Sequence, residues 1–260
     1  MTFNEFNFTE QLQKAIDEAG FKEPSPIQEQ AIPVISAGKD IVGQAHTGTG
    51  KTAAFGLPIL NKLKGKSGVE AVVIVPTREL AMQVSDELYR FGRFLGINTA
   101  TVYGGQAYAR QIKLIENASI IVATPGRFLD LLRGDKIDIK PDYVILDEAD
   151  EMLDMGFLDD IKEIFTFLPK ERQTLLFSAT MPIAIKNLAK TILNEPEFIT
   201  LTKSDVTNAK ITQTFYVVDE RERDDALIRL YDFKNPSKSI IFCRTKKEVD
   251  RLSTFMVSQG

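Results

Sequence analysis

The sequence predicts an α/β protein, a mostly parallel sheet with helices on both faces. Three observations carry this. Short apolar runs alternate with longer segments of helical period along most of the 260 residues. The runs are apolar at consecutive positions rather than at every second one, as strands covered on both faces require. A glycine-rich run over residues 45–52 stands between the first strand and a helix, where open α/β sheets carry their ligand loops.

Taken in order, residues 27–35 have helical period, and Asp40-Ile41-Val42-Gly43 opens the sheet. Ala53-Ala54-Phe55 continues the glycine-rich run as a helix. Further strands are expected over residues 71–75, 99–103, 120–123, 143–146 and 174–177. Helices are expected over residues 78–95, 110–116 and 183–192. Thr124-Pro125 and Met181-Pro182 mark helix starts, because a proline there forfeits an N–H that has no partner in any case. Beyond Leu201 the pattern weakens into a polar stretch suited to a linker over residues 204–211. A strand over 213–218, a helix over 224–231, a strand over 239–243 and a helix from Lys246 follow. Residues 1–203 therefore read as one domain. Residues 212–260 are too few for a sheet with both faces covered and read as the opening part of a second.

Composition narrows the class. Hydrophobic residues make up 43% and charged residues 26%, ordinary for a chain that buries a core. Cys243 is the only cysteine, so no intrachain disulfide forms and a reducing compartment is expected. No apolar run approaches the ~18 residues of a membrane span. Met1-Thr2-Phe3-Asn4-Glu5 has neither a basic nor an apolar leader character, so cytoplasmic location is expected, with no membrane partner. A net charge of −4 argues against a broad, sequence-independent grip on nucleic acid and leaves only a local groove.

The run Ala45-His46-Thr47-Gly48-Thr49-Gly50-Lys51-Thr52 reads as a phosphate cradle. Its glycines let backbone N–H groups converge, and the helix N-terminus adds partial positive charge. Lys51 reaches β- and γ-phosphates, and the Thr52 hydroxyl suits Mg²⁺. Ala45 stands where the general pattern has glycine. In Asp147-Glu148-Ala149-Asp150 a buried strand delivers adjacent carboxylates at its C-terminal end. Asp147 suits Mg²⁺ held through water, and Glu148 suits orienting or deprotonating an attacking water. An acidic helix cap is the plainer alternative.

Together these motifs resemble the DEAD-box family of ATP-dependent RNA helicases. Gly20-Phe21-Lys22-Glu23-Pro24-Ser25-Pro26-Ile27-Gln28 resembles its adenine-reading Q motif, with Phe3 as the upstream aromatic. Pro76-Thr77-Arg78, Gly104-Gly105 and Thr124-Pro125-Gly126-Arg127 resemble the RNA-contacting motifs of the first domain. Ser178-Ala179-Thr180 resembles the motif coupling hydrolysis to strand separation, and Ile241-Phe242-Cys243-Arg244-Thr245 resembles the first motif of the second domain. In this family the cradle reads Ala-x-Thr-Gly-x-Gly-Lys-Thr, which accounts for Ala45. The resemblance implies a RecA-like P-loop domain followed by an incomplete second one. It also implies ATP and Mg²⁺ as ligands and RNA bound by its backbone, with hydrolysis coupled to separation of short duplexes. Lys51, Asp147 and Glu148 are then catalytic, with Phe3, Phe21, Gln28, the residues 47–50, Lys51 and Thr52 on ATP, Thr52 and Asp147 on the metal, and Thr245 on RNA.

Each match has a physical reading. The Gln28 amide both donates and accepts, which suits the N6/N7 edge of adenine, while a structural glutamine in a first helical turn is the alternative. Phe3 offers a stacking face, with Phe6 and Phe8 as competitors and a core position open to all three. Gly104, Gly105 and Gly126 let main chain approach phosphate, and Arg78 and Arg127 add contacts to phosphate or to internal partners. Such recognition reads shape and 2′-hydroxyls, so little sequence preference is expected. The Ser178 and Thr180 hydroxyls suit bonds to the Asp150 carboxylate or a helix cap. His46, the only histidine, reads as a solvent-facing loop residue. Family arginines that reach the γ-phosphate are expected later in the second domain, so this chain is expected to be a fragment whose hydrolysis is inefficient. The competing reading is another P-loop ATPase, such as a DNA helicase.

Overall fold

Seven strands run in one direction through the first part of the chain: β1 (Ile41–Gln44), β2 (Ala71–Ile74), β3 (Thr99–Val102), β4 (Ile120–Ala123), β5 (Tyr143–Leu146), β6 (Gln173–Ser178) and β7 (Glu197–Thr200). The structure, a computed structural model, describes residues 1–65, 68–201, 212 and 214–259. It divides into two compact units, Met1–Thr207 and Asn208–Gly260. In the first unit the strand order is β3-β4-β2-β5-β6-β1-β7, and every pairing is parallel.

Among the described residues, nine α-helices cover that sheet: α1 (Glu10–Glu18), α2 (Pro26–Ser36), α3 (Lys51–Lys62), α4 (Arg78–Gly92), α5 (Tyr108–Ile115), α6 (Pro125–Arg133), α7 (Ala149–Asp154), α8 (Leu158–Phe167) and α9 (Ile183–Ile192). Alternation along the strands divides the core. Ile41, Val73, Ile145, Leu175 and Phe177 face α1 to α4, while Val42, Val72, Ile74, Val144 and Leu176 face α5 to α9. Both faces are buried, which explains why the strands read as apolar runs.

Strand β7 carries no such run. Only Ile199 of its four residues is buried, because it is an edge strand paired to β1 alone. Asp40 secures this end of the sheet, one carboxylate oxygen accepting from the Thr174 N–H (2.8 Å) and the other from the Asn194 N–H (2.7 Å). Gln173 adds bonds to the carbonyls of Ile35 (3.1 Å) and Lys39 (2.6 Å).

The second unit holds α10 (Arg223–Lys234) and α11 (Lys246–Gln259), joined by a two-pronged Arg251–Asp224 ion pair at 2.5 and 3.0 Å. The strands expected over 213–218 and 239–243 are not formed among the described residues. A strand exists through its ladder, and no described segment of this unit supplies a partner. Ile240 and Phe242 accordingly stand exposed. The expected linker over 204–211 lies outside the described residues.

Gly43, in the strand that leads into the cradle, has a packing reason. A Cβ there would meet the Phe177 ring at 2.6 Å, and that ring is already packed on Phe55 at 5.6 Å between centroids. Gly43→Ala should therefore destabilise the chain by about 1–3 kcal/mol, read as a lower midpoint in urea denaturation.

Candidate active site and nucleic-acid interface

Parallel strands place all their C-terminal ends on one edge of the sheet, and the strand order sorts what hangs from it. The cradle follows β1, the acidic pair follows β5, and Ser178 ends β6, so these three loops are neighbours. The loops carrying residues 76–78, 104–105 and 124–127 follow β2, β3 and β4, which form the adjoining half. The β2–β5 pairing is the seam between the two groups.

In the cradle, Gly48 and Gly50 have φ of +81° and +88°, a conformation that favours glycine. Gly50 is also the N-cap of α3, and the first-turn N–H groups of that helix have no intrahelical acceptor. The loop is tied down from α2. The Ser25 hydroxyl donates to the Thr49 carbonyl (2.7 Å), and the Gln28 amide N–H donates to the Gly50 carbonyl (3.0 Å). A Cβ on Gly50 would strike Gln28 Nε2 at 2.4 Å. Gln28 Oε1 accepts from the Ser25 N–H (2.9 Å), closing a reciprocal capping box. Gln28 is thus a buried structural amide, with one N–H and one lone pair beyond these bonds. His46 is exposed, as expected.

Phe3 differs from the expectation of a stacking face. It is 2% exposed, packed edge-on against Phe6 and Phe21 at 5.9 and 5.7 Å, because an aromatic in the first turn of the chain fills the core beside α1. Phe21 is only partly buried.

Lys51 and the acidic pair meet over a long sequence separation. Lys51 Nζ donates to Glu148 Oε1 at 2.7 Å and lies 3.5 Å from Asp147 Oδ1, and all three side chains are at most 8% exposed. The Thr47 hydroxyl donates to the same Glu148 oxygen at 3.0 Å. Glu148 takes a left-handed backbone, φ 56°, and its N–H donates to Asp147 Oδ1 at 3.0 Å. Such a conformation costs a non-glycine residue roughly 1–3 kcal/mol and is held here by its bonds. Burial pushes the Asp147 carboxyl up to about 6; Lys51 opposes the rise and Glu148 adds to it. Asp147 and Thr52 are hard oxygen donors beside a phosphate cradle, a donor set that fits Mg²⁺ shared with substrate phosphates. Among the described residues no group of three or more His, Cys, Asp or Glu side chains is placed to hold a metal alone.

Asp150, on α7, connects β5 to β6. Its carboxylate accepts from the Thr180 hydroxyl and N–H, both at 2.8 Å, and from the Ala179 N–H at 3.4 Å. The Ser178 hydroxyl, fully buried, accepts from the Asp150 backbone N–H at 3.1 Å. Burial raises the Asp150 carboxyl, but the bonds from Thr180, Ser178 and Ala179 outweigh it and hold the group below the usual range.

In the adjoining half, a Cβ on Gly104, Gly105 or Gly126 would meet nothing within 4 Å, so these glycines face open space. Thr77 caps α4, accepting from the Leu80 N–H (3.2 Å), and Pro76 and Pro125 are buried at the strand ends. Arg78 is exposed and lies over the Tyr103 ring at 5.5 Å. Arg127, half-buried, has internal partners, the alternative left open for it. Its guanidinium donates to the Gln106 carbonyl (2.8 Å) and to Gln111 Oε1 (2.9 Å), and lies 4.2 Å from the Tyr108 ring centre. Gln111 is a residue the sequence reading missed. Its signal was a lone amide between Tyr108 and Ile115 on the apolar stripe of α5. Thr245 lies in the second unit, where its hydroxyl caps α11 by accepting from the Glu248 N–H at 3.2 Å.

A parallel α/β sheet with a lysine-bearing glycine loop on one strand and an acidic pair on another defines a domain of the P-loop class. Comparison with known proteins narrows the class. The DEAD/DEAH box helicase family model matches residues 25–188, and the chain belongs to that family. The DEAD-box ATP-dependent RNA helicase RhpA of Helicobacter pylori is 54% identical over 261 residues, covering 100% of this chain and 53% of that protein. The DEAD-box ATP-dependent RNA helicase CshA of Bacillus subtilis is 47% identical over 263 residues, with the same coverage of 100% and 53%. The chain thus spans about half the length of the curated relatives it matches. The crystal structure of a DEAD box protein from the hyperthermophile Methanococcus jannaschii is similar with a TM-score of 0.75 at 40% identity, covering 100% of this chain and 71% of that one.

The raised Asp147 carboxyl makes a signed prediction. Its ordinary value of 3.8 moves to about 6 on folding, so the folded state holds the proton more tightly than the unfolded chain. Its favourable contribution is complete below about pH 4 and is lost as pH rises through about 6. Without nucleotide or Mg²⁺, Asp147→Asn should stabilise the chain at about pH 8, by on the order of 2 kcal/mol, with little difference from wild type near pH 4. Denaturant titrations at the two pH values check this.

Proposed function

We propose that this chain supplies the ATP-binding part and a large share of the RNA-binding surface of an ATP-dependent RNA helicase acting in the cytoplasm. One observation carries the reading. A single strand-end edge holds a phosphate cradle with its acidic pair on one half and an open, glycine-lined backbone face on the other, and Asp150 bonds to the β6 terminus beside the seam. The relatives named as ATP-dependent RNA helicases support the choice of ATP and RNA.

The chemistry follows from the residues. Loop and first-turn N–H groups receive the phosphates, and Lys51 leaves Glu148 to meet them. That exchange frees the Glu148 carboxylate to orient the attacking water and accept its proton. Asp147 and the Thr52 hydroxyl would hold Mg²⁺, which when bound would supply Lewis-acid neutralisation of phosphate charge. Adenine is read by the free amide functions of Gln28, with the partly exposed Phe21 ring, rather than the buried Phe3, available beside it. On the other half, main chain at Gly104, Gly105 and Gly126, with the exposed Arg78, meets the sugar-phosphate backbone. Thr245, in the second unit, is a further candidate for RNA contact.

The test uses the 260-residue chain. Fluorescent ATP analogue should bind in preference to the GTP analogue, and single-stranded RNA should stimulate hydrolysis. Glu148→Gln should lower hydrolysis by about 10²-fold or more while nucleotide binding is at least as tight as in wild type, because Lys51 no longer has an anionic partner there. Stimulation by DNA and none by RNA would favour the DNA-helicase reading. Binding with no RNA-stimulated turnover would limit this chain to a binding role.

A further inference from the structure

The turn formed by residues 103–106 carries the Gly104-Gly105 pair, and a single buried side chain grips it from beneath. Gln111, on α5, is 0% exposed. Its Nε2 donates to the Tyr103 carbonyl at 2.8 Å, and its Oε1 accepts from Arg127 at 2.9 Å. The same Arg127 nitrogen donates to the Gln106 carbonyl at 2.8 Å. The two ends of the turn are therefore fastened by one amide–guanidinium unit. The Gln106 side chain adds a bond to the Tyr103 hydroxyl. Reversing the Gln111 amide would set its NH₂ against the guanidinium and its oxygen against a carbonyl, so the network admits one orientation. Arg127 is confined further by the Tyr108 ring, which Lys136 also approaches, at 3.6 Å from its centre.

Two successive glycines are the most expensive backbone to order, and Gly105 has φ +90° with open space beyond its Cα. A ligand that met a loose turn would have to bear that ordering cost on binding, whereas a turn fastened beforehand spares it. We propose that Gln111 is a positioning residue for RNA. Through Tyr103 and Arg127 it presets the Gly104-Gly105 backbone, and it reaches the RNA only through that turn. This rests on the reading of that face as the RNA surface. It also gives Arg127 its part, as a strut shared by two RNA loops.

The experiment measures binding of a short fluorescein-labelled single-stranded RNA by anisotropy at low ionic strength. In parallel it measures binding of a fluorescent ATP analogue and the thermal midpoint. Gln111→Leu should weaken RNA binding roughly tenfold, while nucleotide affinity and midpoint stay near wild type. Combined with Gly105→Ala, it should add little to the loss that Gly105→Ala causes alone, since both act through one turn. A folded Gln111→Leu chain with wild-type RNA affinity overturns the proposal. So does an RNA loss matched by an equal nucleotide loss. If Gln111→Leu does not fold, Gln111→Glu decides: it keeps an acceptor for Arg127, now charged, and sets an oxygen in place of the donor to the Tyr103 carbonyl, and unchanged RNA affinity overturns the proposal. A wild-type chain that binds nucleotide and no RNA overturns the RNA reading itself, and with it this role.

Discussion

Because all seven strands run the same way, every loop that leaves a C-terminal strand end opens on one edge, and strand order alone decides which loops become neighbours. The cradle and the acidic pair lie far apart in sequence, yet β6 is the only strand between their own two. The backbone-presenting loops come from β2, β3 and β4, contiguous in the sheet though interleaved with helices along the chain. Two binding functions are thus kept side by side without sharing a loop. The buried cores on both faces give these loops a close-packed base.

At the centre of that edge a buried lysine faces two buried carboxylates. Burying charges is costly unless they are paired, and the pairing of Lys51 with Glu148 answers the charge of both. The same contact occupies the two groups that nucleotide chemistry needs. The contact therefore keeps the base engaged with its own lysine, and phosphate must compete for that lysine before the base is free. Asp147 carries the residue of this compromise, a carboxyl pushed toward neutrality by burial. Asp150, three residues on, is pushed the other way by hydrogen bonds from β6 and beyond.

How much of this was legible beforehand depended on which physical signal each residue left. Buried central strands such as β2, β4 and β6 were plain because both faces are apolar. Strand β7 was not, since only Ile199 among its residues is buried. The cradle and the acidic pair were legible as chemistry, and the Asp150–Thr180 bond followed from hydroxyls near a carboxylate. Phe3 misled because an aromatic near a ligand motif carries the same letter whether it stacks on a base or fills a core. Gln28 and Arg127 kept their alternatives open for a like reason: amides and guanidinium groups serve equally inside and outside, and only partner geometry separates the uses. Residues 239–243 read as a strand on composition, but no sequence pattern can provide the neighbouring ladder.

The open space around Gly104 and Gly126 has an evolutionary corollary. At most buried positions, selection for folding and selection for binding act on the same atoms and cannot be told apart. Here the protein itself leaves room for a side chain, and neither residue has a positive φ. Packing does not require glycine at these two sites, so a side chain placed there would be opposed from the ligand side alone. Gly105 differs, since its left-handed backbone binds it to the fold as well. Three glycines on one surface thus meet different physical requirements.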